Sequence, residues 1–277
     1  MLANFVKNFR MKDWSKNAIF FANTLIVSIL ACNSATQAPR DRPESVAPAM
    51  ADSMAMFPRN FEAQKLTGWP RFDGGMDSIF WSKSSWLPLD QVWIGKKPAP
   101  ADFSGRYKVA WDRDALYVLA EITDDKLEDT HPDGLVKYWD DDCLEIFVDE
   151  DASGGGHQFN YNAFAYHIAL DGKVADFGTD SLPHFYNDHC RSVRKTVGNK
   201  SVWEVAVKVF DDKFDPKKPS NRPIKLVPGK KMGFALSYCD NDGSPERENF
   251  IGSIFVPGAD KNRGYIDASI FGKLLLK

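Results

Sequence analysis

Alternation of apolar and polar positions dominates the chain after residue 58 and predicts strands. Over 143–149, Leu144, Ile146 and Val148 share one face, while Cys143, Glu145 and Phe147 share the other, because side chains alternate along a strand. Residues 202–209 repeat the pattern, with Val202, Glu204, Ala206 and Lys208 set against Trp203, Val205, Val207 and Val209. Residues 106–111 and 115–122 flank the turn-like Asp112-Arg113-Asp114 and predict a hairpin. Further strands are expected over 158–170, 190–197, 232–239 and 249–256. Turn residues separate them, and no stretch carries the period of a long amphipathic helix. The expected fold is all-β: an antiparallel β-sandwich of the jelly-roll or immunoglobulin-like kind, formed as one domain by residues 58–277.

The N-terminal pattern is different. Lys12 and Lys16 precede an apolar run from Ala18 to Ala31, which Asn23 interrupts. The run fits a signal peptide better than a membrane span. It ends in Ile29-Leu30-Ala31-Cys32, which resembles a bacterial lipoprotein cleavage box, although Leu30 is large for its place. Residues 1–32 are therefore expected to be a lipoprotein-type signal peptide, with Cys32 the lipidated residue. A start at Met11 gives a more ordinary signal length, and plain secretion with cleavage near Ala35 is the alternative. Residues 33–57 are rich in Ser, Ala, Thr, Gln, Pro and charge, the composition of a flexible tether. The expected location is the cell envelope, on the periplasmic side or the cell surface, with contact to the membrane through the lipid.

Composition narrows the function. The net charge is −3 and no basic cluster is interleaved with aromatics, so nucleic acid is not an expected partner. The segment Tyr138-Trp139-Asp140-Asp141-Asp142 places an aromatic and a carboxylate run at the mouth of the 143–149 strand. Glu145, on the inward-pointing row of that strand, must find partners if buried. An aromatic wall with polar groups beside it suits a sugar: the ring stacks on the apolar C–H face and carboxylates take hydroxyl protons. A solvated acidic turn is the plain alternative.

Several segments together resemble one family. They are Phe72-Asp-Gly-Gly-Met-Asp-Ser-Ile-Phe-Trp81, the 109–124 hairpin closing on Asp124, and the 139–149 strand with Cys143 where Ser is usual. Gly233-Phe234 and Phe271-Gly272-Lys273-Leu274 complete the set. In order and spacing they are similar to a family 9 carbohydrate-binding module over most of 70–277. The resemblance implies a sugar held between two aromatics, which fall on Trp139 and Tyr265. It implies a carboxylate acceptor at Glu145 and an amide at Asn262. A family Arg falls near Asn160 and a family Gln on Ser237, two departures that would tune selectivity. The implied role is non-catalytic binding of a poly- or oligosaccharide, alongside glycoside hydrolases in carbohydrate catabolism, with no organic cofactor.

The resemblance also implies structural calcium. Oxygen-rich loops at Asp124-Asp125, Asp140-Asp141-Asp142 and Asp240-Asn241-Asp242-Gly243 are candidates, with Asp240 and Asp242 as ligands. A glycosidase needs two carboxyls facing across a scissile bond. The best pair, Asp142 and Glu145, points to opposite sides of one strand. Neither a serine-nucleophile elbow nor a Gly-rich phosphate loop is present. Two other readings stay open. A haem-binding electron-transfer sandwich would have to use Met76, Met232 or His157, without a c-type attachment motif. A structural lipoprotein would bind protein rather than sugar. Cys143, Cys190 and Cys239 match no metal spacing; they are expected as isolated buried thiols, with a Cys143–Cys239 bridge the alternative. The pair His184 and His189 fits a polar loop better than a zinc motif.

Overall fold

The computed structural model describes residues 59–68 and 71–277; the expected signal peptide over 1–32, with Cys32, and the expected tether over 33–57 lie outside the described residues. Fourteen strands run in chain order through them. They are β1 (Asn60–Lys65), β2 (Leu87–Leu89), β3 (Gln91–Ile94), β4 (Phe103–Trp111), β5 (Leu116–Asp124), β6 (Cys143–Asp149) and β7 (Phe164–Ala169). They continue with β8 (Val174–Phe177), β9 (Pro183–Phe185), β10 (Cys190–Val197), β11 (Lys200–Val207), β12 (Lys231–Asp240), β13 (Asn249–Gly252) and β14 (Gly272–Leu276).

One sheet has the order β10-β11-β5-β4, with β2 on the free edge of β4. The other runs β14-β12-β6-β7-β8-β9, with β13 pairing both β12 and β3. Strand β1 joins the two. Its first half, Asn60 to Ala63, pairs with β14, and Gln64 and Lys65 pair with Ala110 and Trp111 of β4. Both pairings are parallel, so the sandwich is mixed rather than wholly antiparallel as the pattern predicted.

Aromatic contacts cross between the sheets. Phe103 stacks on Tyr238 at 5.5 Å, and Phe61 meets Tyr107 and Phe234 edge-on at 6.4 and 5.8 Å. A second apolar cluster, including Phe80, Trp81, Tyr117 and Leu119, covers the outer face of the first sheet.

The expected strand at 158–170 shortens to Phe164–Ala169. Asn160 and Asn162 instead bind nearby backbone groups, the turn chemistry of asparagine. Every residue of β6 is buried. Leu144 is paired with Tyr238, which stacks on the opposite sheet, so Leu144, Ile146 and Val148 face the inter-sheet core. Cys143, Glu145 and Phe147 therefore face away from it, under loops that cover the outer side of the second sheet. This corrects the direction expected for the Glu145 row.

Candidate functional site

Those covering loops leave a cavity of about 300 Å³ over Glu145. Its floor is built by the sheet: Glu145 of β6 and His167 of β7 are cross-strand partners, and Ala165 lies two residues before His167. Asp176 and Phe177 enter from β8, and Phe250 from β13. The loop before β6 supplies Tyr138 and Trp139, and the loop before β13 supplies Arg247. Asn262 and Tyr265 come from the loop after β13, and Gln158 closes the rim.

The aromatic side is layered. Trp139 stacks on Phe177 at 6.4 Å and 29°, while Tyr138 packs edge-on against both Trp139 and His167. Trp139 is half-buried, and Tyr265 is 38% exposed.

The polar floor is almost closed to water. Glu145 Oε1 lies 3.1 Å from His167 Nε2, and Ser237 Oγ donates to Glu145 Oε2 at 3.3 Å. His167 Nδ1 sits 3.2 Å from the Ala165 carbonyl, an oxygen that can only accept. The proton is therefore on Nδ1, which leaves Nε2 to accept from a protonated Glu145. Burial drives both groups the same way, raising the carboxyl well above its usual range and lowering the imidazole to about 3. The pair is neutral. Asp176 is pushed up to about 7 by burial, although it accepts from the Ala165 and Phe177 amides.

Arg247 supplies the fixed positive charge. Its guanidinium lies 4.1 Å over the Phe250 ring, donates to Cys239 Sγ at 3.0 Å and to Asn262 Oδ1 at 3.3 Å. Burial opposes ionisation of Cys239, yet a hydrogen bond from Cys143 and the Arg247 charge bring it down to about 7. Cys143 and Cys239 are cross-strand partners and both are free, so they form a contacting thiol pair rather than the isolated thiols expected.

Of the six sugar-site residues taken from the sequence, Trp139, Glu145, Asn262 and Tyr265 line this one cavity. Ser237 is fully buried and lies behind Glu145 as its hydrogen-bond partner. Asn160 does not line the cavity; its amide is committed to the Gly156 carbonyl and the Asn162 amide. The residue that faces Glu145 on the following strand is His167, and the charged donor is Arg247. His167 could have been found from its strand, where it shares a face with Ala165 and Ala169 and is the lone polar group on that row. Arg247 gave no such signal, because loop position does not fix direction.

The acidic loops also converge. Asp124, Asp142 and Asp240 form one buried triad of carboxylates, and Asp102, Asp125 and Asp242 form another, each with oxygens within 4.8 Å of one another. Asp240 and Asp242 thus fall in different triads. Burial and then the Asp124 charge push Asp142 up to about 9. Burial, followed by neighbouring carboxylates, brings Asp240 to about 7 and Asp242 to about 6. The nearby Lys126 is paired to Glu128 at 2.5 Å and to the Asp242 carbonyl, so it leaves the carboxylates uncompensated. Asp242 Oδ1 is buried with no donor among the described residues. An all-oxygen donor set with an orphaned oxygen fits a hard divalent cation.

The haem candidates do not converge. Met232 is in the inter-sheet core, Met76 packs on the outer cluster, and His157 Nε2 is bound to the Gly264 carbonyl at 2.8 Å.

The model of the carbohydrate family 9 binding domain-like family matches residues 72–277. The chain belongs to that family. Curated relatives include the endo-1,4-beta-xylanase A of Thermotoga neapolitana, 31% identical over 217 residues, and the exoglucanase XynX of Acetivibrio thermocellus, 30% identical over 214. The matches take in 76% and 77% of this chain but 17% of each relative, so the chain spans about one sixth of those enzymes. Among solved structures, a family 9 module of Caldicellulosiruptor kristjanssonii in complex with cellotriose has a TM-score of 0.58 at 19% identity, over 79% of this chain and 94% of that one. The same module with glucose gives 0.56 at 20% identity, over 78% and 95%. This family 9 chain therefore shares the β-sandwich of those modules.

Proposed function

We propose that this family 9 chain binds carbohydrate without cleaving it, and that the Glu145 cavity receives the sugar ring. The observation that carries the reading is one pocket lined by Trp139 and Tyr265, with fixed polar groups at its floor. Aromatic faces take the C–H side of a pyranose and the floor orients its hydroxyls. Arg247 and Asn262 are hydrogen-bonded to each other, so their free donors are pre-aimed at little entropic cost. Asp176, once ionised, accepts from hydroxyls. Glu145 keeps one lone pair on each oxygen beyond its Ser237 and His167 contacts, so it acts chiefly by holding His167 in place. The family 9 module of Caldicellulosiruptor kristjanssonii was captured with cellotriose and with glucose, which supports a glucose-type ring for this cavity.

The chain, tethered through Cys32 at the cell envelope, would hold oligosaccharides near glycoside hydrolases. The xylanase relatives, which carry this module within longer enzymes, support that association. The carboxylate triads would hold structural calcium, with Asp124, Asp142 and Asp240 as the buried ligands and Asp102, Asp125 and Asp242 as the outer set. An ion in each triad would offset much of its charge and tie together the ends of β5 and β12 and the loops before β4 and β6.

Calorimetric titration of the full chain with cello-, xylo- and laminari-oligosaccharides, each intact and reduced to the alditol, tests the sugar reading. Binding to one series, weakened in Trp139→Ala, is expected. Loss on reduction would identify reducing-end capture, and silence from all three series would overturn the cavity assignment.

A further inference from the structure

A second and larger cavity, about 640 Å³, opens beside β9 and the loop that follows β11. It is separate from the Glu145 site but adjoins it. Asp176 lines the first cavity and His184 the second, and the two residues are direct partners across the β8–β9 ribbon. The ribbon is thus a shared wall.

We propose that this second cavity is a saccharide subsite selective for a carboxylated residue, such as a uronic acid. Its aromatic surface is preformed: Phe185 is 42% exposed at the rim, and deeper in, His189 stacks on Phe210 at 4.1 Å. Polar atoms are interleaved with these rings. The Tyr161 and Tyr186 hydroxyls lie 3.2 Å apart, and His189 binds Tyr166 through Nδ1, leaving Nε2 without a protein partner among the described residues. Rings with interleaved hydroxyl-sized partners suit a sugar better than a purely apolar ligand.

Charge decides the kind of sugar. Lys208, Lys217, Lys218 and Arg222 line the cavity against Asp180 and Asp188, and Asp215, behind the lining, pairs with Lys218 at 3.4 Å, so the cationic excess rests on Lys208, Lys217 and Arg222. Asp180 is already bound by His184 at 2.9 Å. Lys217 has no acidic partner among the described residues, and Arg222 Nη1 is anchored on the Pro219 and Asn221 carbonyls, which fixes the guanidinium. Asp188 accepts hydroxyls. A uronide offers both a carboxylate for the cations and hydroxyls for Asp188 and the tyrosines. Arginine is well suited to bind its carboxylate through two parallel hydrogen bonds. The choice of a sugar rests on the proposed function; the preference for an anion rests on the cavity alone.

The test uses the full chain and two probes, a linear tri-galacturonide and cellotriose, titrated by calorimetry into four proteins. The uronide is expected to bind Trp139→Ala within about twofold of the parent, since the subsite is separate. Its affinity should fall at least about tenfold in Lys217→Ala/Arg222→Ala, as two charge-assisted contacts are lost. Phe185→Ala, an exposed change that leaves the fold intact, should weaken the uronide and leave cellotriose unaffected. Uronide binding that vanishes in Trp139→Ala, ignores both second-cavity variants, or is absent from the parent would overturn the proposal. Cellotriose binding to the parent reports on the Glu145 cavity independently, so either site can fail alone.

Discussion

At the residue scale the Glu145 cavity separates two kinds of group. Trp139 is held by stacking on Phe177 and by the edge of Tyr138, so its ring is positioned before any ligand arrives. Trp139→Ala should weaken sugar binding by about 1–3 kcal/mol, by analogy with other aromatic stacking platforms. Because Trp139 is half-buried, thermal midpoint should change little. Parallel calorimetry and melting curves check both halves. Asp176 makes a pH prediction. Its carboxyl titrates at about 7, and only the ionised form keeps an acceptor lone pair on each oxygen beyond its two backbone amides, so affinity should rise as pH passes from 6 to 8. Stability moves the other way. A carboxyl raised by burial holds its proton longer folded than unfolded, so its contribution is present below about 4 and lost as pH rises through 7. Asp176→Asn should flatten the affinity profile; an unchanged slope would mean that another group titrates. Alternation along β6 grouped Glu145 with Cys143 and Phe147 but not on the right side of the sheet, and Trp139, in the loop before β6, was found only through its place beside that strand and the family resemblance. Asp176, Phe177 and Arg247 were not legible, since their approach depends on how β8 and the loop before β13 lie over the sheet.

Among the elements that the pattern missed, β1 is the one that ties the sheets together. It is six residues long, and only Phe61 and Ala63 are buried in it, too weak an alternation to stand out in sequence. By contrast β4, β5, β6, β11 and β12 carry long apolar faces and were visible, while the three-residue β2 and β9 are too short for any period. Tertiary pairing, not local sequence, defines β1: it runs parallel to β14 and then to β4, a crossing that alternation cannot encode. Phe61 is 2% exposed and contacts both Tyr107 and Phe234, one ring from each sheet. Phe61→Ala should cost about 3–5 kcal/mol, the range for a buried Phe truncated to a cavity. Denaturant unfolding measures that loss. Sugar affinity of the remaining folded protein should be unchanged, because the cavity lies on the far face of the second sheet.

For the molecule as a whole, the proposed calcium sites in the carboxylate triads should make stability depend on a cation and on pH together. Their residues lie at or just beyond the ends of β5 and β12 and in the segments before β4 and β6, so they join strands from both sheets. Without metal, Asp142 and Asp240 titrate at about 9 and about 7 instead of near 4. The folded chain then binds more protons than the unfolded one across that window, and metal-free stability should decline as pH rises from about 4 towards 9. A divalent cation bound there would replace those protons, so its affinity should rise over the same range. At 100 times its dissociation constant it would add about 2.7 kcal/mol. Melting curves at pH 5 and pH 8, with excess calcium or with chelator, should show a small gap at the lower pH and a wide one at the higher. Asp142→Asn keeps the shape of the side chain while removing the charge. It should make the metal-free protein less sensitive to pH and narrow the calcium gap at pH 8. A gap of equal size at both values, or no gap at either, would mean that the triads are settled by protons alone.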